Sequence, residues 1–83
     1  MAKIIVEVMP KPELLDPQGK AIAGALARGG ATEFVNVRAG KRFELTVDGD
    51  VTPEILEKAK QIAADVLSNG VIEDVVAVAE VAE

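Results

Sequence analysis

Hydrophobic positions along this chain recur with two spacings, one typical of strands and one typical of helices. From Lys3 to Met9 apolar residues fill every second position, which predicts a strand, and Pro10-Lys11-Pro12 ends it. One predicted face carries Ile4, Val6 and Val8, and the other, also mostly apolar, carries Ile5, Glu7 and Met9.

The next segment has the signals of a helix start. Asp16 is expected to cap the helix and Pro17 to occupy its first turn, with the helix running to about Arg28 and Gly29-Gly30 ending it. The stripe expected to face a sheet contains Ile22, Ala25, Leu26 and Gly29. The opposite side contains the small residues Gly19, Ala23, Gly24 and Ala27.

Residues 34–47 have the pattern of a β-hairpin. Apolar and polar residues alternate on both sides of Gly40, which is expected to take the positive φ of a tight turn. So short a connection predicts two antiparallel neighbouring strands. Asp48-Gly49-Asp50 is a turn signal that closes this unit.

A second helix is predicted to begin at Thr52, with Pro53 in its first turn, and to end at Ser68-Asn69-Gly70. Its apolar stripe is Ile55, Ala59, Ile62, Ala63, Val66 and Leu67. A valine-rich run from Val71 to Val81 predicts the last strand.

The predicted order is β-α-β-β-α-β over one domain, residues 1–83. Two right-handed βαβ halves give an α+β, ferredoxin-like sandwich with a four-stranded antiparallel sheet and two helices on one face. The other face would then expose apolar side chains of Ile5, Met9, Phe34 and the last strand. Because a monomer rarely exposes such a patch, the sequence predicts a homodimer, with higher oligomers left open.

The amino-acid composition excludes some classes of function. The 83 residues carry a net charge of −5 and only two aromatic side chains, which argues against nucleic-acid binding. No signal peptide or apolar run of membrane-spanning length is visible, so the expected location is the cytoplasm, without membrane association.

The absence of histidine and cysteine limits the available chemistry. Without them the chain has no ordinary nucleophile–base pair and no group that titrates near neutrality unless it is perturbed. A self-contained active site is therefore not expected.

Two basic features are candidate contact sites. Arg38, Lys41 and Arg42 gather positive charge around the predicted hairpin, from which Arg38 is expected to project, and Lys20 could add to the same area. They would either bind a carboxylate or other anion, or simply be solvated charges that discourage aggregation of the sheet edge.

Gln18-Gly19-Lys20 at the first helix start is open to two interpretations. Its free amides could bind phosphate, but Asp16 would repel an anion, and a capped helix with a closely packed glycine is favoured. The acidic pairs Glu73/Asp74 and Asp48/Asp50 lack the spacing of a metal-binding loop, so no metal site is expected.

Three motifs in order give the chain a family resemblance. Residues 14–20 (LLDPQGK), 35–41 (VNVRAGK) and 69–74 (NGVIED), together with the helix that follows the first motif, resemble the PurS family. That family is the small subunit of phosphoribosylformylglycinamidine synthase, and the resemblance covers essentially the whole chain.

The resemblance implies a non-catalytic role in purine biosynthesis. PurS-type subunits dimerise and bridge the large synthetase subunit PurL and the glutaminase subunit PurQ, while ATP and Mg²⁺ are used elsewhere in the complex and none is bound by this chain. By motif position, the implied partner-contact or architectural residues are Asp16, Gln18, Gly19, Lys20, Arg38, Gly40 and Lys41. The alternative is a stand-alone ferredoxin-like regulatory module that binds a small metabolite at a dimer interface.

Overall fold

A computed structural model describes residues 2–81 and shows three strands and two helices. Their order is β1 (Ala2–Pro10), α1 (Pro17–Arg28), β2 (Lys41–Val47), α2 (Pro53–Ile62) and β3 (Glu73–Val81). A π-helical turn, Ala63–Leu67, extends α2. The fold is thus α+β, as the hydrophobic pattern predicts.

β1 is the central strand of an antiparallel sheet with the order β2-β1-β3. It pairs with β2 from Ala2↔Val47 to Val8↔Lys41, and with β3 from Lys3↔Val81 to Pro10↔Glu73. β1 is thus paired along both of its edges, and among residues 2–81 the outer edges of β2 and β3 are unpaired.

The hydrophobic core lies between β1 and α2. Ile4, Val6 and Val8 are almost completely buried and pack with Ala59 and Ala63. Partly buried side chains surround this cluster: Phe43, Leu45, Val47, Val51, Ile55, Leu56, Leu67, Val75 and Val78. Four residues of the predicted apolar stripe of the second helix are therefore in or against the core: Ile55, Ala59, Ala63 and Leu67. Ile62 is half-buried, and Val66, on the π-helical turn, is exposed.

The predicted hairpin is wrong, and with it the four-stranded sheet. Residues 34–40 lack strand pairing, and only Lys41–Val47 joins the sheet. Gly40 does not take a positive φ, and residues 34–40 form no turn. Instead, a side chain at Gly40 would collide with the Val8 carbonyl oxygen and the Met9 sulfur, so glycine is needed for space.

Helix α1 begins and ends where the capping residues predict, but it does not pack on the core. The hydrophobic cluster contains no residue of α1, and Ile22 on the predicted sheet-facing stripe is 40% exposed. Amphipathic spacing defines an apolar face without defining what covers it. The prediction of two helices packed on one sheet face is therefore wrong for α1.

Ile5 does not belong to the open apolar face that the sequence predicts. It is only 7% exposed, whereas Phe34 and Val76 are both more than half exposed. Among residues 2–81, neither helix has the length and apolar character that a membrane span requires.

The chain is more extended than a folded domain of its length. Its radius of gyration is 16.0 Å, against about 12 Å for a compact domain of this size. Its accessible surface is 5791 Å², against about 4,700 Å² for an ordinary monomer of 8.7 kDa. The excess of about 1,100 Å² is surface that a small monomer ordinarily buries.

Candidate functional site

Asp16 joins the start of α1 to the segment that precedes β2. One carboxylate oxygen accepts a hydrogen bond from the Gly19 amide at 3.0 Å, and the other accepts one from the Ala39 amide at 2.8 Å. These two amides, Gly19 first, lower the pKa of Asp16 below its ordinary value of 3.8. Asp16 is therefore ionised at neutral pH and serves as a hydrogen-bond acceptor rather than a general acid.

Gly19 is the point where α1 and this segment come closest. It is buried, and a Cβ atom there would lie 2.7 Å from an Asp16 carboxylate oxygen and 2.9 Å from the Val37 carbonyl carbon. The favoured interpretation of Gln18-Gly19-Lys20, a capped helix with a closely packed glycine, is confirmed. Because the Gly19 amide is already bonded to Asp16, this helix start does not offer the free amide expected of a phosphate site.

Arg38 turns inward instead of projecting from a hairpin. It is partly buried, and its guanidinium donates a hydrogen bond to the Pro10 carbonyl at the end of β1. The expectation that it projects is wrong because the predicted hairpin does not form. Arg38, Asp16 and Gly40 thus hold residues 38–40 against the end of β1 and the start of α1.

Two of the other predicted cations, Lys41 and Arg42, also have partners within the chain. Lys41 pairs with Glu73 at 3.0 Å, and Arg42 pairs with Glu44 at 2.9 Å. The Asn69 amide and then Lys41 lower the pKa of Glu73, and Arg42 has the corresponding effect on Glu44. The predicted basic cluster is therefore divided among separate ion pairs, an arrangement that favours edge protection over a dedicated anion site.

Lys11 is a member of this region that sequence reasoning missed. Its ammonium lies 2.7 Å from an Asp74 oxygen, which raises the pKa of Lys11, and its amide donates to the Ile72 carbonyl at 2.9 Å. These contacts attach the turn before β3 to the end of β1. The only sequence signal was its position between two prolines, which does not identify a partner 63 residues away.

A cleft of about 390 Å³ opens where these elements meet. Its lining is mainly apolar and comprises Pro10, Leu14, Leu15, Asp16, Pro17, Ile72 and Glu73. We call these residues, with Gly19 and residues 38–41, the corner. Leu15 is 72% exposed, and the adjacent apolar pair Leu14-Leu15 just before a helix cap was the signal that could have marked it.

The predicted site residues thus fall into two groups. Asp16, Gly19, Arg38 and Gly40 make tertiary contacts with distant segments of the chain, and Lys41 pairs with Glu73. Gln18 and Lys20 are exposed, and Lys20 lines a second cleft together with Arg38, between α1 and residues 35–38. Within residues 2–81 no three acidic side chains are grouped as metal ligands would be.

The Asp16 hydrogen bonds predict an acid-dependent loss of stability. Because folding lowers the pKa of Asp16, its contribution is present above pH 3.8 and is lost as pH falls through the folded-state value. Denaturant unfolding from pH 6 down to pH 2 is expected to show this loss, and Asp16→Asn should reduce it. The acid-dependent loss of stability that remains in the Asp16→Asn variant is expected from Glu44 and Glu73, whose pKa values are also lowered in the folded chain. Asp50→Asn, at an exposed turn, is the control, and an equal reduction by both variants would contradict the assignment.

The fold and the corner define a small α+β domain. Its charged side chains hold the segments of the corner together, and its mainly apolar cleft is exposed on the surface. The model of the PurS family, described as phosphoribosylformylglycinamidine (FGAM) synthase, matches residues 3–80. The chain therefore belongs to the PurS family, as its three sequence motifs indicate.

Individual relatives agree with this assignment. The chain is 53% identical over 74 residues to phosphoribosylformylglycinamidine synthase subunit PurS of Mycobacterium leprae, covering 89% of this chain and 90% of the relative. It is 40% identical over 75 residues to the Bacillus subtilis subunit, covering 89% and 87% of the two chains.

Solved structures match over nearly the whole length. A chain of the PurLQS structure from Thermotoga maritima has a TM-score of 0.83 and 25% identity, covering 96% of both chains. The B. subtilis PurS structure has a TM-score of 0.78 and 36% identity, covering 99% of this chain and all of that one.

Proposed function

We propose that this chain is the accessory subunit that joins the large synthetase subunit, PurL, to the glutaminase subunit, PurQ, in a cytoplasmic FGAM synthase. The assembled enzyme converts formylglycinamide ribonucleotide to its amidine, using ATP and ammonia released from glutamine. The observation that carries this proposal is the corner, an exposed apolar cleft whose walls are fixed by internal contacts. The T. maritima structure, named as PurLQS, supports an association of this kind.

The charges of the corner are consistent with docking rather than catalysis. Asp16 and Glu73 are ionised and already accept hydrogen bonds, so they orient the cleft walls without moving a proton. A preformed cleft loses little conformational freedom on binding, which favours association. ATP and Mg²⁺ would act on the larger subunits, and this chain would support assembly and ammonia transfer between them.

Self-association is part of the proposal. The chain exposes about 1,100 Å² more surface than an ordinary monomer of its mass, and a standard interface buries about 800 Å² per partner. Helix α1 also lacks a place in the core of its own chain. We infer that the functional unit contains at least two copies.

The test is reconstitution. Adding the chain to the matching large and glutaminase subunits is expected to restore glutamine-dependent amidation, while ammonia-dependent amidation by the large subunit is already present without it. Leu15→Asp should weaken complex formation about tenfold or more, because an exposed apolar anchor becomes charged. Val66→Asp is the matched control, since Val66 is as exposed as Leu15 but lies on the π-helical turn.

Two outcomes would contradict the proposal. Equal weakening by both variants would remove the corner from the interface. Binding of free amino acids, with no effect on glutamine-dependent amidation, would favour a stand-alone regulatory module instead.

A further inference from the structure

The turn that precedes β3 contains the pair Asn69-Gly70, and both residues are exposed. Gly70 lacks the structural need for glycine that Gly19 and Gly40 have. Its φ is not positive, and a Cβ atom built on it would meet nothing within 4 Å. In the part of the chain that the structure describes, its amide donates to no acceptor. Gly70 therefore presents a backbone nitrogen that no side chain shields.

The side chain of Asn69 is held beside this nitrogen. Its carbonyl oxygen, Oδ1, accepts a hydrogen bond from the Val71 amide at 3.1 Å, which closes a ring that contains Gly70. The bond draws electron density away from the side-chain carbonyl carbon, Cγ. A donor in this position also stabilises the negative charge that develops on the oxygen when a nucleophile adds to that carbon. Asn69 and Gly70 thus supply a polarised carbonyl and an accessible nitrogen on adjacent residues.

We propose that Asn69 is a deamidation site. The Gly70 nitrogen loses its proton to a base in solvent and forms a bond to Cγ of Asn69. The bond between Cγ and Nδ2 then breaks, and Nδ2 takes a proton from solvent and leaves as ammonia, so that a succinimide ring remains. Water opens this ring at either carbonyl, which gives aspartate or isoaspartate. Water is consumed and ammonia is released, so the reaction needs no oxidant, reductant or cofactor.

The isoaspartate product alters the start of β3. In the unmodified chain the Asn69 main-chain carbonyl accepts the amides of Ile72 at 3.0 Å and Glu73 at 2.7 Å. In isoaspartate the chain continues through Cγ, and that carbonyl becomes part of a free carboxylate on a side branch. The two amides lose their acceptor geometry, and a new negative charge lies close to Glu73. Because Glu73 lines the corner cleft and pairs with Lys41, the modification loosens the corner.

The first test needs no variant, because the chain has two asparagines and both are exposed. Asn36 is followed by Val37, whose branched side chain shields the nitrogen that would attack. During incubation of the isolated chain in mildly alkaline buffer, deamidation at Asn69 should be about tenfold faster or more than at Asn36. Peptide mapping by mass spectrometry measures both sites and distinguishes aspartate from isoaspartate. Equal rates, or products confined to Asn36, would overturn the proposal.

Gly70→Ala tests the role of the unshielded nitrogen. The variant should fold like the wild type, since a Cβ atom meets no neighbour and the backbone conformation suits alanine. Its methyl group should slow deamidation at Asn69 about tenfold. After the same incubation, the wild-type chain should unfold at a lower urea concentration than fresh protein, whereas the variant should be unchanged. A wild-type chain that accumulates isoaspartate at this position and keeps its urea midpoint would overturn the loosening of the corner.

Val71→Pro and Val71→Ala test the hydrogen bond to Oδ1. Proline removes the donating amide, and alanine keeps it. In the folded chain the proline variant should deamidate about threefold more slowly or less, a modest effect because water can replace a donor at an exposed turn. In urea, where the folded turn is absent, the two variants should react at the same rate.

No difference between these variants in the folded chain, or an equal difference in urea, would overturn the role assigned to the Val71 amide. The larger subunits take no part in any of these measurements. Their outcome is therefore independent of the docking proposed above, and a failed reconstitution leaves it unaffected.

Discussion

Replacing Ile4 with alanine is expected to lower the free energy of unfolding by about 3 kcal/mol. Ile4 is 1% exposed and lies on the central strand against α2. The loss combines the hydrophobic transfer free energy of the removed carbon atoms with the cost of the cavity that they leave. The buried residues opposite β1, Ala59 and Ala63, have small side chains and cannot fill that cavity. Urea denaturation of dilute protein measures the difference.

Ile22→Ala is the matched control, because it removes the same atoms from α1. Its cost should be below about 1 kcal/mol, since Ile22 already exposes much of its surface and has no place in the core. Equal costs at the two positions would show that α1 packs on the sheet in solution. A cost for Ile22→Ala that grows with protein concentration would place α1 in an interface between copies.

Gly19→Ala is expected to be the most damaging substitution in the corner. The added methyl group would overlap the Val37 carbonyl group, which is backbone and cannot rotate away. Overpacking of this kind costs about 2–3 kcal/mol when it is not relieved. Relief would require α1 to separate from residues 37–40, and that would break the Asp16 bond to Ala39. The variant should therefore lose stability and bind the larger subunits more weakly.

Gly24→Ala provides the control within the same helix. A methyl group at Gly24 meets only the end of the flexible Arg28 side chain, at 3.3 Å. Alanine should then stabilise the helix by up to about 1 kcal/mol, because glycine is a poor helix former. If Gly19→Ala were also neutral or stabilising in the same denaturation series, the closely packed corner would be contradicted.

These effects connect stability to the proposed docking. The corner depends on a few contacts between segments far apart in the chain, such as Lys11 with Asp74 and Arg38 with Pro10. A variant that loosens them changes the shape offered to a partner before it unfolds the sheet, because the core between β1 and α2 is separate. Assembly and unfolding should therefore be measured on the same variants.

Local signals in the sequence predicted much of the secondary structure. Both helix starts were predicted from a capping residue followed by proline, Asp16-Pro17 and Thr52-Pro53. In the structure each capping side chain accepts the expected amide hydrogen bond. The alternation of apolar and polar residues predicted β1 and β2, because a strand with one buried face needs an apolar residue at every second position. These features depend on neighbouring residues and so are visible in the sequence.

The predicted hairpin failed for a physical reason. Alternation shows that residues 34–38 can form a strand, but it does not say which strand they pair with. Gly40 suggested a turn, yet glycine is also required where two backbone segments lie too close for a side chain. The second reason applies at Gly40, because the Val8 backbone leaves no room for a Cβ atom. Spacing alone does not separate these two uses.

For the candidate site, the sequence by itself determined the residue types and the family, but not their arrangement. The glycine at position 19 implied a close approach, and the lack of histidine and cysteine directed attention to association rather than catalysis. Only the tertiary structure decided that Arg38 turns inward, that Lys11 reaches Asp74, that α1 stands apart from the core and that residues 34–38 join no strand of the described chain. The reason is that these outcomes depend on contacts between distant segments, whose energies local patterns do not encode.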